Sequence, residues 1–337
     1  MYRAFGDSIV NGAGASSAAT RFISRLGTSM GVNFANFSAP GSMVMDQESA
    51  VYSQNFAEGD FTILGFGVND QAKYLTDSAK LGYFIDGLRS YAVLASSRTL
   101  LATPENAVSF SGQWSNAYSY GTYASATPGS KAAFKFDGTK LALGFLRQAG
   151  NTSTFRVKID GQSKGVYLSG GDVTTVKGKP YGPMCLVFSG LTDGHHYAEI
   201  EVVNGDGYYP VYFRFFSECE RIARVCVLSV PRAIAYTGGG SDSNVMAYNA
   251  AISAMVSELQ SLGLDVLMID VTSLLTPQDM FDDVHPADSG HLKYYAAISG
   301  MLMNPPVSFV PGFVFSDCDG NLYAAIKSGI KRVMLSD

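Results

Sequence analysis

Met1-Tyr2-Arg3-Ala4-Phe5-Gly6-Asp7-Ser8 opens the chain as a short apolar run closed by a glycine-containing turn. Such a run fits a buried parallel strand. A serine just past its end would face the crevice at the carboxyl edge of an open α/β sheet, where such sheets do chemistry. Ser8 fits two roles there: a nucleophile, or a turn serine capping a first helix. A nucleophilic serine needs a base to take its proton, a carboxylate to orient that base, and donors for the oxyanion it creates.

Outward from this stretch the pattern alternates. Residues 20–30 predict a helix with Phe22, Ile23, Leu26 and Met30 on one side, stopped by Gly31. Residues 32–37 and 61–66 read as strands, and 75–95 as a helix through Leu81, Phe84, Ile85 and Leu88. Near residue 99 the period changes to two: Phe134 and Phe136, Leu141, Leu143 and Phe145, Phe155, Val157 and Ile159, and Ala198, Ile200 and Val202 alternate with polar residues. Turn signals at Asp137-Gly138, Asp160-Gly161, Ser169-Gly170-Gly171 and Asp193-Gly194 separate these runs. A β-sandwich is therefore expected inside the α/β pattern, with Glu199 and Glu201 facing water.

The α/β pattern resumes at the apolar strand 223–230. A helix capped by Asp242 or Ser243 runs to about Leu262 before Gly263, and a fifth strand spans 264–271. Asp288 or Ser289 would cap a last helix that ends before Pro305-Pro306. The predicted fold is a three-layer, doubly wound parallel sheet with an inserted all-β sandwich. Its parts are 1–98 and 221–304 for the α/β domain, 99–220 for the insert, and 305–337 for an apolar extension read as extended structure packed on a neighbour.

Composition narrows the function classes. The 337 residues are 47% hydrophobic, enough to fill a sizeable core, and only 16% charged. That shortage of charge, made up by Gly, Ser, Thr, Asn and Tyr, is associated with secreted or particle-borne proteins. A net charge of −5 without a basic run speaks against a nucleic-acid partner, and no apolar stretch approaches membrane-spanning length. Cys185, Cys219, Cys226 and Cys318 lack metal-ligand spacing and are expected as buried free thiols, with a Cys219–Cys226 bridge as the alternative. The first block begins too early for a secretory leader. The expectation is a protein working where it is made, leaving by another route, or cut from a longer chain.

Four histidines limit the choice of base. His195 and His196 are expected as solvated residues of a turn, whereas His285 and His291 each follow an aspartate by three positions, Asp282 and Asp288. Spacing does not separate the last two, but His285 lies in a loop and His291 in the first turn of the last helix. Asp283 is the fallback carboxylate. Asp317-Cys318-Asp319-Gly320-Asn321 fails the calcium-loop template, with Ser328 at its twelfth position, and predicts a turn. Gly238-Gly239-Gly240 lacks the lysine and spacing of a phosphate loop and reads as a flexible segment on the active edge. Trp114, Tyr118, Tyr120, Tyr123, Tyr208, Tyr209 and Tyr212 enrich the insert in aromatics, which serve either its core or a sugar-binding face.

Gly6-Asp7-Ser8-Ile9-Val10-Asn11-Gly12, Gly41 within Ser38-Ala39-Pro40-Gly41-Ser42, Gly67-Val68-Asn69-Asp70 and Asp282-Asp283-Val284-His285-Pro286 occur in order, each after an apolar run. Together they resemble the SGNH (GDSL) hydrolase superfamily over about residues 1–97 and 221–304. The resemblance implies Ser8 as nucleophile, His285 as base, Asp282 as its orienting carboxylate, and an oxyanion hole from the Ser8 and Gly41 backbone N–H groups and the Asn69 amide. Asp70 and His291 are then structural, and no metal or organic cofactor is implied. An SGNH domain with a sandwich insert and little charge resembles the carbohydrate O-acetylesterases of bacteriophage tail spikes and fibres. That implies an O-acetylated bacterial polysaccharide as substrate, location in a virion, and a tail that contacts virion proteins or other copies in a homo-oligomer, a trimer by analogy. The aromatic content of the insert separately suggests Trp114, Tyr118 and Tyr120 as sugar contacts. The competing expectations are a lipase or thioesterase on longer acyl chains, and a glycan-binding module with a vestigial site.

Overall fold

Five strands, β1 (Tyr2–Gly6), β2 (Phe34–Asn36), β3 (Phe61–Gly65), β4 (Arg224–Leu228) and β5 (Asp265–Ile269), form one all-parallel sheet of order 2-1-3-4-5 in the computed structural model. Residues 1–118, 122–171, 181–236, 238–303, 314–316, 322–326 and 329–332 are described. Successive side chains of a strand point to opposite faces, and both faces of this sheet are buried. Phe5, Leu64, Val225, Val227 and Val266 join one apolar cluster, while Ala4, Ile63, Cys226 and Leu228 are buried on the other face. That double burial is why the strands read as continuous apolar runs.

The helices are α1 (Ser8–Asn11), α2 (Phe22–Met30), α3 (Glu48–Tyr52), α4 (Val68–Tyr74), α5 (Ser78–Ser96), α6 (Asp242–Ser261) and α7 (Asp288–Met303). Gly31, at φ 64°, closes α2 by returning its N–H to the Gly27 and Thr28 carbonyls. The expected helix over 75–95 is α5, which starts at Ser78 and ends at Ser96. Leu75, at φ 56°, closes α4, and the Asp77 carboxylate caps α5 by accepting the Ala79 and Lys80 N–H groups at 3.0 Å. Ser241, rather than Asp242 or Ser243, caps α6 by accepting the Asn244 N–H at 3.1 Å. Asp288 is the first residue of α7 and spends its carboxylate on the Ser16 N–H, at 2.9 Å, and hydroxyl.

The inserted region is two sheets. One holds Ser109–Ser111, Lys131–Asp137, Thr154–Ile159, Gln162–Leu168 and His195–Asn204. The other holds Leu100–Leu101, Ser115–Tyr118, Thr122–Ser125, Leu141–Ala149, Gly170–Gly171, Tyr181–Phe188 and Val211–Ser217. Phe134, Phe145, Phe155, Phe213 and Phe216 fill the space between, with Phe134 stacked on Phe216 at 4.1 Å between ring centroids. Asp160-Gly161, at φ 51° and 76°, makes the two-residue hairpin that the sequence signals there. On the outer face of the first sheet, Glu199 and Glu201 sit between Lys131, Arg156 and Lys158.

The outer face of the second sheet is covered as well. Ala142, Leu146, Cys185, Tyr212 and Phe215 join the cluster of Tyr52, Leu88 and Tyr91 from α3 and α5. The Phe215 ring lies so close on Gly144 that a Cβ there would come within 2.1 Å of it. Entry and exit of the insert run side by side, with the Arg98 N–H on the Glu220 carbonyl at 2.8 Å and the Ile222 N–H on the Ser96 carbonyl at 2.9 Å.

Residues Met1–Ala297 form one unit and Ile298–Asp337 a second. The second contains a three-stranded antiparallel sheet, Val314–Ser316, Leu322–Ile326 and Gly329–Arg332. The turn read at Asp317–Asn321, Pro305-Pro306 and Cys318 lie outside the described residues. Cys185, Cys219 and Cys226 are buried free thiols, and burial pushes Cys219 up to about 11 and Cys226 to about 12.

Candidate active site

β1 delivers Ser8 through a tightly closed strand end. A Cβ on Gly6 would stand 2.2 Å from the Gly65 carbonyl oxygen, and one on Gly65 would stand 2.4 Å from Val10, so only glycine lets α1 turn back this sharply. Asp7, not Ser8, caps α1, accepting the Ile9 N–H at 3.0 Å. Its carboxyl is pushed up to about 7 by burial, against the opposing pull of that hydrogen bond. Ser8 is therefore the first helical residue, and its N–H is one of the donors a helix start leaves unpaired.

The base comes from 277 residues away, with its carboxylate partner three residues before it. After β5 the chain forms a narrow loop closed by a Met280–Pro286 bridge and the Phe281 N–H on the His285 carbonyl at 2.8 Å. Within it, Asp282 Oδ1 accepts the Val284 and His285 N–H groups at 2.8 and 2.7 Å, the self-bonding turn that aspartate favours. The same carboxylate takes the His285 ring, Nδ1 to Oδ2 at 2.8 Å, and His285 Nε2 stands 2.9 Å from Ser8 Oγ. A proton on Nδ1 leaves Nε2 as an acceptor for the serine proton. Partial burial would raise the Asp282 carboxyl, but the hydrogen bonds from His285 and Val284 outweigh it and hold it low. Asp283 offers its backbone carbonyl to the Ile234 N–H at 2.8 Å, and its carboxylate has no partner among the described residues.

Asn69 lies in the first turn of α4 and shares a cavity of about 170 Å³ with Ser8 and His285. One of its amide N–H groups donates to the Ser42 carbonyl at 2.9 Å. Its neighbour Asp70, fully buried, accepts the Val44 N–H at 3.1 Å, and burial pushes its carboxyl up to about 8. Asp70 thus caps a segment remote in sequence, while Gly67 starts its own helix. Adjacent residues of α4 thereby tie down the loop after β2, which carries Gly41 at φ 71°. Gly41 is exposed and is not among the residues lining the cavity.

His291 is fully buried, donates from Nε2 to the Ala13 carbonyl at 3.1 Å, and stacks on Phe22. His196 departs from the solvated turn expected of it: it lies within the strand His195–Asn204, buried against Phe136, with Nδ1 on Asp160 at 2.6 Å and Nε2 on the Thr192 carbonyl at 2.7 Å. His195 is exposed and paired with Asp137. Trp114 packs half-buried on Phe110 at 5.3 Å beside the sandwich core, and none of the described residues of 99–220 lines the cavity. The Tyr118 side chain and all of Tyr120 lie outside the described residues.

Sequence patterns did not mark Arg232 and Tyr236, which line the cavity from the loop after β4. Their one signal is position, since that loop must end at the same sheet edge as the others. The Tyr236 hydroxyl donates to Asp242 at 2.6 Å, and burial together with that bond pushes it up to about 12. The Gly238-Gly239-Gly240 segment packs over α4, where the Ser241 N–H reaches the Gln71 side chain at 3.2 Å.

No protein-family model and no curated protein matches the sequence. Solved structures do. A member of the lipolytic G-D-S-L family from Veillonella parvula aligns over 90% of this chain and 98% of its own, at 12% identity and a TM-score of 0.44. A two-domain esterase active on acetylated mannans, co-crystallised with mannopentaose, aligns over 66% and 90%, at 9% identity and 0.33. A carbohydrate-binding module in complex with calcium and xylotriose aligns over 36% and 98%, at 15% identity and 0.27. At these scores none of the names passes to this chain.

Proposed function

We propose that the chain is a serine carboxylic-ester hydrolase that removes O-acetyl or similarly short acyl groups from a carbohydrate. One observation carries this: the unbroken line from Asp282 through the His285 ring to Ser8 Oγ, with contacts of 2.8 and 2.9 Å. As Ser8 Oγ attacks the ester carbonyl carbon, His285 Nε2 takes its proton, and the charge left on the ring faces the Asp282 carboxylate. The oxyanion meets the Ser8 N–H and the Asn69 amide, with the Gly41 N–H assigned as third donor from the family resemblance. His285 returns the proton to the departing alcohol, leaving acyl-Ser8. Water, deprotonated by the same nitrogen, releases the acid and restores the serine.

Val68, Ala72 and Ala233 in the cavity wall suit a short acyl group. The carbohydrate alcohol, a bacterial surface polysaccharide as its source, location in a phage tail and assembly through residues 305–337 rest on the family resemblance. The test is acetate release from O-acetylated bacterial polysaccharides by the wild-type protein and by Ser8→Ala. Release that disappears in the variant supports the reaction and the nucleophile together. Inertness toward every polysaccharide and toward short synthetic esters would end the esterase reading, and turnover that climbs from acetyl to octanoyl esters would move the substrate to lipids.

A further inference from the structure

Arg232 is the one permanent charge among the residues lining the cavity. Its backbone is fixed, because its N–H donates to the Thr272 carbonyl at 3.1 Å and so ties the loop after β4 to the loop after β5. Its guanidinium is little used. Nε stands 3.6 Å from Asp242 Oδ1, Nη2 stands 3.9 Å from the Met246 thioether, and Nη1 has no partner among the described residues. Asp242 is itself 60% exposed and already accepts the Tyr236 hydroxyl, so this ion pair is a loose surface one. A fork of five N–H donors, shaped for a carboxylate, therefore lines the same cavity as the reacting serine with most of its capacity unspent.

Sheet order says which part of a substrate it would meet. The oxyanion donors follow β1, β2 and β3, on one side of the 2-1-3-4-5 sheet. Arg232 follows β4 and His285 follows β5, on the other side, where the alcohol must leave to receive its proton from His285 Nε2. An acetyl group has no charge to offer a guanidinium. The geometry points to a carboxylate on the alcohol half: we infer that Arg232 selects an acidic glycan, one whose acetylated or neighbouring sugar bears a carboxylate. This rests on the ester-hydrolase reading above.

The test compares O-acetylated polygalacturonate with the same polymer after reduction of its carboxylates to alcohols, with p-nitrophenyl acetate as a neutral small ester and Ser8→Ala as control. The wild-type protein is expected to favour the acidic polymer in kcat/KM, with a preference that shrinks as ionic strength rises. Arg232→Gln should raise KM for the acidic polymer about tenfold relative to its effect on the reduced one, and Arg232→Lys should keep part of the preference. Equal turnover of the two polymers by the wild type, or an Arg232→Gln loss equal on both, overturns the inference while leaving the esterase reading standing. No Ser8-dependent turnover of any of the three substrates overturns both.

Discussion

Asp282→Asn asks whether the relay works through the histidine tautomer. Asparagine keeps the shape of aspartate and one acceptor oxygen. In the structure Oδ1 is the atom held by two backbone N–H groups, at 2.8 and 2.7 Å, and only an acceptor satisfies them, so the amide oxygen must take that place. The NH₂ group then falls where Oδ2 was, 2.8 Å from His285 Nδ1, and leaves that nitrogen only its longer 3.0 Å contact to an Oδ1 already taken by two backbone N–H groups. Donor would face donor, and the ring is relieved by moving its proton to Nε2, the nitrogen that has to accept from Ser8. Simple loss of one charge-assisted hydrogen bond would cost about 1.5–3 kcal/mol, roughly ten- to a hundredfold. The wrong tautomer costs far more, on the order of 10⁴ in kcat for the equivalent change in a serine protease. Since the backbone contacts dictate the orientation of the amide, the larger figure is expected here, with KM little changed. Steady-state kinetics on p-nitrophenyl acetate, with folding checked by circular dichroism, decides. A loss of tenfold or less in a folded variant, or a loss confined to KM, would refute the tautomer argument.

Asn69→Ala should lower kcat by about 10² to 10³ with little change in KM, because an oxyanion donor acts on the transition state; a change in KM alone would remove Asn69 from that role. Gly65→Ala places a methyl 2.4 Å from Val10 and should cost about 1–3 kcal/mol while displacing α1 and Ser8, so a thermal melt should fall together with kcat, and an unchanged melt would show that α1 is free to yield. Asp7 and Asp70 are carboxyls raised by burial from 3.8 to about 7 and about 8, so their contribution to stability is complete below pH 3.8 and is lost as pH rises toward 8, at about 1.4 kcal/mol per pH unit for each proton the folded state alone retains. Urea midpoints should therefore fall from pH 5 to pH 8, and Asp70→Asn should flatten that slope; a variant whose slope equals the wild type's would mean Asp70 ionises freely in the folded protein.

Much of the scaffold was legible because local chemistry writes it. Continuous apolar runs announced strands buried on both faces, period-two runs announced the sandwich, and Gly31 and Asp160-Gly161 marked the stops they make. The helix over 75–95 was legible to within three residues, and its start falls at Ser78 because Leu75, at φ 56°, ends α4 and the Asp77 carboxylate caps the next helix. His196 was misjudged because whether a histidine is solvated depends on what strand pairing sets beside it, here Phe136 and Asp160.

The sequence by itself determined which residue types stood at the ends of which strands, since glycine, aspartate, serine and asparagine act there through their own backbones and those of close neighbours. It therefore named Ser8, Asn69 and the two Asp-x-x-His pairs. Loop and helix context and the family resemblance set those pairs apart; what the tertiary structure adds is the contact itself, with His285 2.9 Å from Ser8 across 277 residues and His291 at the Ala13 carbonyl. The same holds for Asp70 on the loop after β2, for Arg232 at the cavity wall and for the sandwich face laid on α5. Contacts between segments far apart in sequence follow from strand order and side-chain packing, which leave no periodic trace in any one segment.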